Sequence, residues 1–198
     1  MTIPDDIIYT FRFDDISINT DSDKLMKMIG LIRRTLRSAS VDILISVSPA
    51  VQRMDACADP FERERPFPSM FHVESDFRVF YRPDLIAIPP IVTKICQNPD
   101  ISIAGHGMIH VDHRLMKRSA QELSIVMSCA LLQCRTFVPP FHKWNAKTES
   151  VCDEHGIELV KYDSSWRHLF YHKFDAEHQR YYLHTHDFTY EDFCARFS

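Results

Sequence analysis

Short β-type runs alternate with helical patterns along the whole of this chain. The β-type runs cover residues 7–13, 41–47, 101–104, 136–138, 157–162 and about 180–183, and the helical patterns cover about 22–38, 91–97, 119–134 and 145–156. Strands that are separated by helices run parallel, and the connections between them are right-handed crossovers. The order therefore predicts an α/β protein with a parallel sheet or barrel.

Capping residues support the helical patterns. Thr20, Asp21 and Ser22 can cap the first helix. Ser119 and Glu122 have the spacing of a capping box, and Asn145 and Gly156 bound the helix near residue 150. The helix after Ser119 has apolar residues around most of its circumference. We therefore expect it to be deeply packed, with Leu123 among the residues that face the core.

The length of 198 residues predicts a single domain over residues 1–198. Residues 49–90 interrupt the alternating pattern with prolines, a charged run and several aromatic residues, and only a hairpin at about 70–81 is indicated there. Long loops in compact domains are usually functional or mobile. We interpret this stretch as a loop-rich insertion on the substrate side.

Composition excludes several classes of protein. The net charge of −4 offers no basic surface for nucleic acid, and the four glycines form no phosphate-binding GxGxxG or GxxxxGK pattern. The six cysteines form no CxxC pair, which favours reduced core residues. Neither a signal peptide nor an apolar run of membrane-spanning length is present, so we expect a cytoplasmic protein without a membrane partner.

Polar and aromatic residues cluster directly after the predicted strands. These clusters comprise Asp14 and Asp15; His106, His110 and His113; Pro140, Phe141, His142 and Trp144; Asp163 and Trp166; and His184 and His186. In alternating α/β folds the loops at the carboxyl ends of the strands converge over the sheet, where ligands bind. One carboxylate and two imidazoles suit a catalytic divalent metal with open coordination positions.

His106 and His110 are four residues apart, a spacing that places both imidazoles on one side of a helical turn, within reach of one cation. We leave the remaining histidines, His168 included, as surface or structural residues. His142 is the exception, because it lies in one of the converging loops.

Five segments resemble, in order, the motifs of the polysaccharide deacetylases, the NodB-homology carbohydrate esterases. The segment FRFDDI at residues 11–16 resembles the first motif and HGMIH at 106–110 the second, in which two histidines are separated by three residues. TFVPPFHKWN, YDSSW and YLHTHDF resemble the third, fourth and fifth motifs less closely. Together the five segments extend from residue 11 to residue 188.

The resemblance implies a distorted (β/α) barrel of about six or seven strands that removes the acetyl group of an N-acetylated carbohydrate. It implies one divalent metal, zinc before manganese, cobalt or nickel, bound by Asp15, His106 and His110. Asp14 would be the general base, and His184 or His186 would protonate the leaving amine, with a slight preference for His186. The residues that would contact substrate are Pro140, Phe141, Trp144, Asp163 and Trp166.

Three positions depart from the family pattern. Phe137 and Val138 stand where the third motif has an arginine that tunes the base, which leaves Arg12 and Arg135 as candidates for that role. Ser165 replaces an aspartate of the fourth motif, and Ile16 replaces a glycine of the first.

Two alternatives stay open on the sequence. One is a sugar-binding protein on the same fold that has lost turnover. The other is a non-haem iron oxygenase, because His110, Asp112 and a later histidine follow the HxD…H order of such enzymes. That reading requires an all-β double sheet.

Overall fold

The computed structural model describes residues 7–17, 20–49, 88, 90–95, 98, 100–108, 110 and 112–197. The strands are β1 (Ile8–Ile16), β2 (Ser40–Val47), β3 (Ile101–Gly105), β4 (Thr136–Phe137), β5 (Glu158–Leu159), β6 (Trp166–His168) and β7 (Arg180–His184). The helices are α1 (Ser22–Thr35), α2 (Pro90–Ile95), α3 (Arg118–Leu131), α4 (Ala146–Glu154) and α5 (Tyr190–Phe197). Nearly all of the predicted insertion, with its hairpin, lies outside the described residues.

The seven strands form one sheet in the order β5-β4-β3-β2-β1-β7-β6. Every pair of neighbouring strands is parallel. The sheet curls into a half-barrel, and β5 and β6 form its two edges. The predicted class, a distorted barrel of six or seven parallel strands, is confirmed.

β1 is an interior strand of the curled sheet, between β2 and β7, and is buried on both faces. Tyr9, Phe11 and Phe13 are fully buried in the main hydrophobic core, which also contains the apolar side of α1. Arg12 and Asp14 alternate with them and are equally inaccessible, at 0% and 1% exposure. Because side chains alternate across a strand, β1 presents one apolar face to the helices and one charged face to the opposite side.

Local capping signals place two helices correctly. The side chain of Asp21 accepts hydrogen bonds from the backbone N–H groups of Asp23 and Lys24 at the start of α1. Asn145 caps α4 in a capping box with Thr148, and Gly156 follows that helix with φ +60°, the left-handed conformation that glycine adopts most readily.

The capping box predicted for α3 is wrong. The helix begins at Arg118, and its N-cap is Lys117, whose ammonium group cannot accept a capping hydrogen bond. Glu122 instead forms ion pairs with Arg118 and with His155. These tertiary contacts compete for the carboxylate that the capping box would use.

The buried face of α3 also differs from the prediction. Ser124 and Ser128 are fully buried, whereas Leu123 is 41% exposed. The cause is the close approach of α3 to β3: a Cβ atom at Gly105 would lie 2.8 Å from both Ser128 Oγ and Cys129 Sγ. Only small side chains fit at this distance, so α3 packs through its small residues.

Three elements near the carboxyl end differ from the sequence prediction. β6 and α5 were not predicted, and β5 is shorter than the pattern at 157–162. β6 has three residues and α5 has eight, lengths at which periodicity carries little information. Among the helices in the described part of the chain, none has the length and apolar character that crossing a bilayer requires.

Candidate metal centre and active site

Asp14 and Asp15 reach one site although they are adjacent on a strand. Successive side chains of a regular strand point to opposite faces. Here the register between β1 and β2 shifts between Phe13 and Ile16, and Asp15 has φ 61°. This left-handed bulge costs about 1–2 kcal/mol for a residue with a Cβ atom, and it brings both carboxylates to the carboxyl end of β1.

The carboxylate of Asp15 meets two imidazoles. Its Oδ1 atom lies 3.0 Å from His106 Nε2 and 2.8 Å from His110 Nε2. Burial works to raise the pKa of Asp15, but its contacts with His106 and His110 outweigh burial and hold that pKa well below its usual value. A carboxylate oxygen and two imidazole nitrogens at this spacing are the donor set of a divalent metal.

A backbone carbonyl group fixes the tautomer of His106. Its Nδ1 lies 2.7 Å from the carbonyl oxygen of Val138, which only accepts, so Nδ1 carries the proton. Nε2 then faces Asp15 Oδ1, 3.0 Å away. Metal-bound histidines characteristically donate their second N–H to a carbonyl or carboxylate in this way, so these residues fit a metal.

The two histidines converge without the helical turn that we expected. His106 and Gly107 have no regular secondary structure, Met108 and His110 lie in bends, and Gly107 has φ 78°, outside the α-helical range. The backbone N–H of Met108 donates to the buried hydroxyl of Ser124, which ties this loop to α3. A loop held by tertiary contacts therefore replaces the predicted turn.

The arginine that is missing from the third segment is replaced by Arg12. Its Nε lies 3.1 Å and its Nη2 2.9 Å from Asp14 Oδ2, and Ser46 Oγ donates to Asp14 Oδ1 at 2.9 Å. Burial works to raise the pKa of Asp14, and Arg12 and the nearby histidines outweigh it, so the pKa is lowered. Of the two arginines considered, Arg12 is the one that contacts the predicted base.

His142 joins the same network. Its Nδ1 accepts a hydrogen bond from Arg12 Nη2 at 2.9 Å, and its ring stacks on Tyr162 at 4.6 Å between centroids. Burial, followed by the charge of Arg12, lowers the pKa of His142 to about 4. The imidazole is therefore neutral at physiological pH and serves as an acceptor for Arg12.

The predicted substrate-contacting aromatics separate into buried and exposed side chains. Trp166 is 7% exposed and lies under the Arg12 guanidinium, 4.6 Å from the centre of its ring. Phe141 is 48% exposed, and its ring lies 4.3 Å from that of His110. Pro140 is buried directly before it. Phe141 is thus the predicted aromatic that adjoins the candidate metal ligands and also faces solvent.

The two closing histidines differ in burial and in position. His184 pairs with Asp14 in the β1–β7 register, and its Nε2 lies 3.6 Å from Asp15 Oδ2. Its Nδ1 lies 3.0 Å from Asp187 Oδ2. Burial works to lower the pKa of His184, and Asp187 and Asp15 outweigh it, so the pKa is raised. The side chain of His186 is 57% exposed, against 22% for His184.

Other predicted site residues make contacts of a different kind. Asp163 is exposed and accepts hydrogen bonds from the backbone N–H and the hydroxyl of Ser165. Trp144 is half-buried in the loop before α4, where it hydrogen-bonds Glu149. His113 is fully buried, with Nε2 3.1 Å from Ser124 Oγ, and is part of the core.

The oxygenase alternative is wrong. The sheet is a single parallel one, and helices connect β1 to β2, β3 to β4 and β4 to β5, whereas that alternative requires two packed antiparallel sheets. Asp112, the carboxylate of its HxD pattern, forms a bidentate ion pair with Arg114 instead.

Sequence reasoning missed the roles of His168 and Asp187, and it left Arg12 as one of two candidate partners of Asp14. Arg12 and Asp14 are two apart on a strand and therefore share a face, which strand periodicity could have revealed. His168 and Asp187 both contact His184. Nothing local marks His168, because its partners are on another strand and on the turn that follows it.

No protein-family model and no curated protein sequence matches this chain. Solved structures do match. A family 4 carbohydrate esterase from Streptomyces lividans, in complex with acetate, has a TM-score of 0.57 at 13% identity, covering 96% of this chain and 84% of that one.

Two further structures share the architecture. A family 4 pseudoenzyme from Bacillus anthracis has a TM-score of 0.53 at 8% identity, over 90% of this chain and 54% of that one. A peptidoglycan deacetylase from Bacillus subtilis, solved as a mutant, has a TM-score of 0.50 at 10% identity, over 91% and 76%. The TM-scores establish a shared fold, and at identities this low the similarity extends to the fold alone. The chain therefore has the fold of the family 4 carbohydrate esterases.

Proposed function

We propose that this protein is a metal-dependent hydrolase that removes the acetyl group from an N-acetylated sugar or glycan intermediate. The observation that carries the proposal is the convergence of His106 Nε2 and His110 Nε2 on one oxygen of Asp15, at 3.0 and 2.8 Å. A second carboxylate, Asp14, and a further imidazole, His184, lie at the same strand ends. The fold shared with carbohydrate esterases supports the same chemistry.

The metal ligands are Asp15, His106 and His110, and the metal is zinc, with manganese, cobalt or nickel as alternatives. Imidazole and carboxylate ligands suit all four ions, and three protein ligands leave positions open for water and substrate. When bound, the metal supplies Lewis acidity, which lowers the pKa of a water and polarises the acetyl carbonyl.

Asp14 acts as the general base. It removes a proton from the attacking water while the water oxygen forms a bond to the acetyl carbon. Arg12 keeps Asp14 ionised and, together with Ser46, limits the rotation of the carboxylate. The ion pair therefore performs the task that the family assigns to an arginine of its third motif.

His184 acts as the general acid. Its Nε2 lies on the side of the ring that faces Asp15. Transfer of a proton from Nε2 to the leaving nitrogen allows the C–N bond to break, which releases acetate and the free amine. The contacts with Asp187 and Asp15 favour its protonated form. Between the two histidines we choose His184, because His186 is mostly exposed and lies beyond the end of β7.

The substrate is an N-acetylated carbohydrate that packs against Phe141. An aromatic face suits the C–H surface of a sugar ring, and this ring adjoins His110. Trp166 supports the site indirectly, since it stacks on Arg12.

Acetate release tests the proposal. The purified protein is incubated with N-acetylglucosamine and its short β-1,4-linked oligomers, with and without added Zn²⁺ or Co²⁺, and acetate is measured by an enzyme-coupled assay. We expect turnover that a chelator abolishes and Zn²⁺ restores. Binding of these sugars without metal-dependent acetate release would favour the sugar-binding alternative.

A further inference from the structure

A partly buried hydrogen-bond network lies behind His184, on the side away from Asp15. Its members are His168 from β6 and Asp187 from the turn after β7. His168 Nε2 lies 3.2 Å from Asp187 Oδ2 and 3.2 Å from His184 Nδ1, and His184 Nδ1 lies 3.0 Å from the same Asp187 oxygen. His168 is 7% exposed and belongs to none of the five motif-like segments.

The position of the proton on His168 follows from a backbone contact. The N–H of Phe170 donates to His168 Nδ1 at 3.2 Å, so that nitrogen is an acceptor. A neutral imidazole that accepts at Nδ1 carries its proton at Nε2. His168 therefore donates from Nε2. Asp187 Oδ2 and His184 Nδ1 both lie 3.2 Å away, and the ionised carboxylate is the stronger acceptor of the two.

This arrangement determines where His184 carries a proton. Were His184 Nδ1 bare, it would face the Asp187 oxygen at 3.0 Å with no proton between two acceptors, which is unfavourable in a partly buried site. A proton on Nδ1 satisfies both groups, and Asp187 Oδ2 then accepts from two imidazoles. The exchangeable proton of His184 is left to Nε2, the nitrogen that lies 3.6 Å from Asp15 Oδ2.

We propose that His168 is a positioning residue that acts through Asp187 to hold His184 with a proton on Nδ1, so that Nε2 is reserved for substrate. The inference rests on the proposed function, because it assigns a supporting role to the acid of that reaction.

A second metal at this network is the competing reading. Three ligand atoms of His168, His184 and Asp187 lie close enough together to hold a cation. Nitrogen Nε2 of His168 would have to be a ligand, but the Phe170 contact leaves it protonated, without a lone pair to offer. The geometry therefore favours the hydrogen-bonded network over a second cation.

The experiment compares His168→Phe with His168→Gln, and uses His172→Phe, an exposed histidine four residues along, as the matched control. Phenylalanine keeps the ring but cannot donate, whereas the amide of glutamine can donate to Asp187. We expect His168→Phe to lower kcat by about tenfold or more, with KM changed by less than about twofold and metal content unchanged. His168→Gln should recover most of the lost kcat, and His172→Phe should match the parent protein.

The tautomers are measured independently of activity by long-range ¹H–¹⁵N correlation spectra of the parent protein. We expect His168 to carry its proton at Nε2 and His184 to carry one at Nδ1. A His168 protonated at Nδ1, or a second bound Zn²⁺ that His168→Gln abolishes, would overturn the proposal. So would equal losses of kcat in both His168 variants, or an unchanged kcat in a folded His168→Phe protein.

The two proposals fail in different ways. A parent protein that releases no acetate contradicts the proposed function, while the tautomer spectra still decide whether the network exists. If circular dichroism shows that His168→Phe does not fold, the kcat of His168→Gln and the spectra of the parent protein test the proposal instead. A kcat of His168→Gln more than tenfold below that of the parent, with normal folding and metal content, would contradict the donor role.

Discussion

Replacing Arg12 with methionine removes the cation that faces Asp14 inside the half-barrel. Both side chains are buried, at 0% and 1% exposure, and Nη2 lies 2.9 Å from Oδ2. Methionine approximates the length of the arginine stem without its charge. The substitution leaves the Asp14 carboxylate with Ser46 as its hydrogen-bond donor and without a compensating charge.

The size of the effect follows from this geometry. Two unit charges 2.9 Å apart interact by about 6 kcal/mol at an effective dielectric constant near 20. Protonation of Asp14 and the apolar contacts of methionine with Trp166 recover part of that energy. Removal of one partner from a buried pair typically costs about 3–5 kcal/mol, and we expect a loss of that size in the free energy of unfolding.

Urea unfolding, followed by circular dichroism at pH 7 in the presence of a chelator, measures this loss. Arg12→Lys, which keeps the charge, is the matched control and should be less destabilising. The double variant Arg12→Met with Asp14→Leu should cost less than the sum of its two single variants, because each single variant leaves one buried charge uncompensated. A cost below about 1 kcal/mol for Arg12→Met, or strict additivity in the double variant, would refute the buried ion pair.

Three further predictions address the site. Asp14→Asn should retain metal and lose about 10²–10⁴ in kcat, whereas Asp15→Asn should lose metal as measured by inductively coupled plasma analysis; equal metal contents would contradict the two roles. His184→Ala should lower the rate of acetate release by about tenfold or more, and His186→Ala should have the smaller effect. A larger loss in His186→Ala than in His184→Ala would contradict our choice of acid. The pKa of His142 is about 4 in the folded protein and 6.5 for an unperturbed histidine. The unfolded chain therefore binds the proton first as the pH falls. The free energy of unfolding should consequently fall by at most about 3 kcal/mol from pH 6.5 to pH 4. His142→Gln should flatten that part of the pH profile, and an unchanged slope would show that His142 does not cause it.

Local patterns were sufficient to predict the parallel sheet and most of its elements. The interior strand β1, the cap of α1 among Thr20, Asp21 and Ser22, and the bounds of α4 depend on residues within a few positions of one another. The clustering of Asp14, Asp15, His106 and His110 at one end of the sheet also followed, because the carboxyl ends of parallel strands converge, whereas the choice of Asp15 as the ligand came from the family resemblance. These features require only strand alternation and the direction of the chain.

The prediction failed where neighbours from distant parts of the chain set the outcome. The buried face of α3 contains serines because α3 packs closely against Gly105 on β3, which has no side chain. His110 reaches Asp15 through a loop with Gly107 at φ 78°, and no helical turn is needed. In both places tertiary contacts outweigh the local periodicity on which the prediction relied.

The residues that could form a metal centre were identifiable from the chain alone, since residue types, their spacing and their positions after strands are all local properties. How those residues work together depends on the folded molecule. The bulge at Asp15 brings two adjacent carboxylates to one site, and the pairing of β1 with β7 sets His184 beside Asp14. The same pairing, extended to β6, brings His168 to His184. Strand order and register decide such contacts, and both depend on packing between segments that are far apart in the chain.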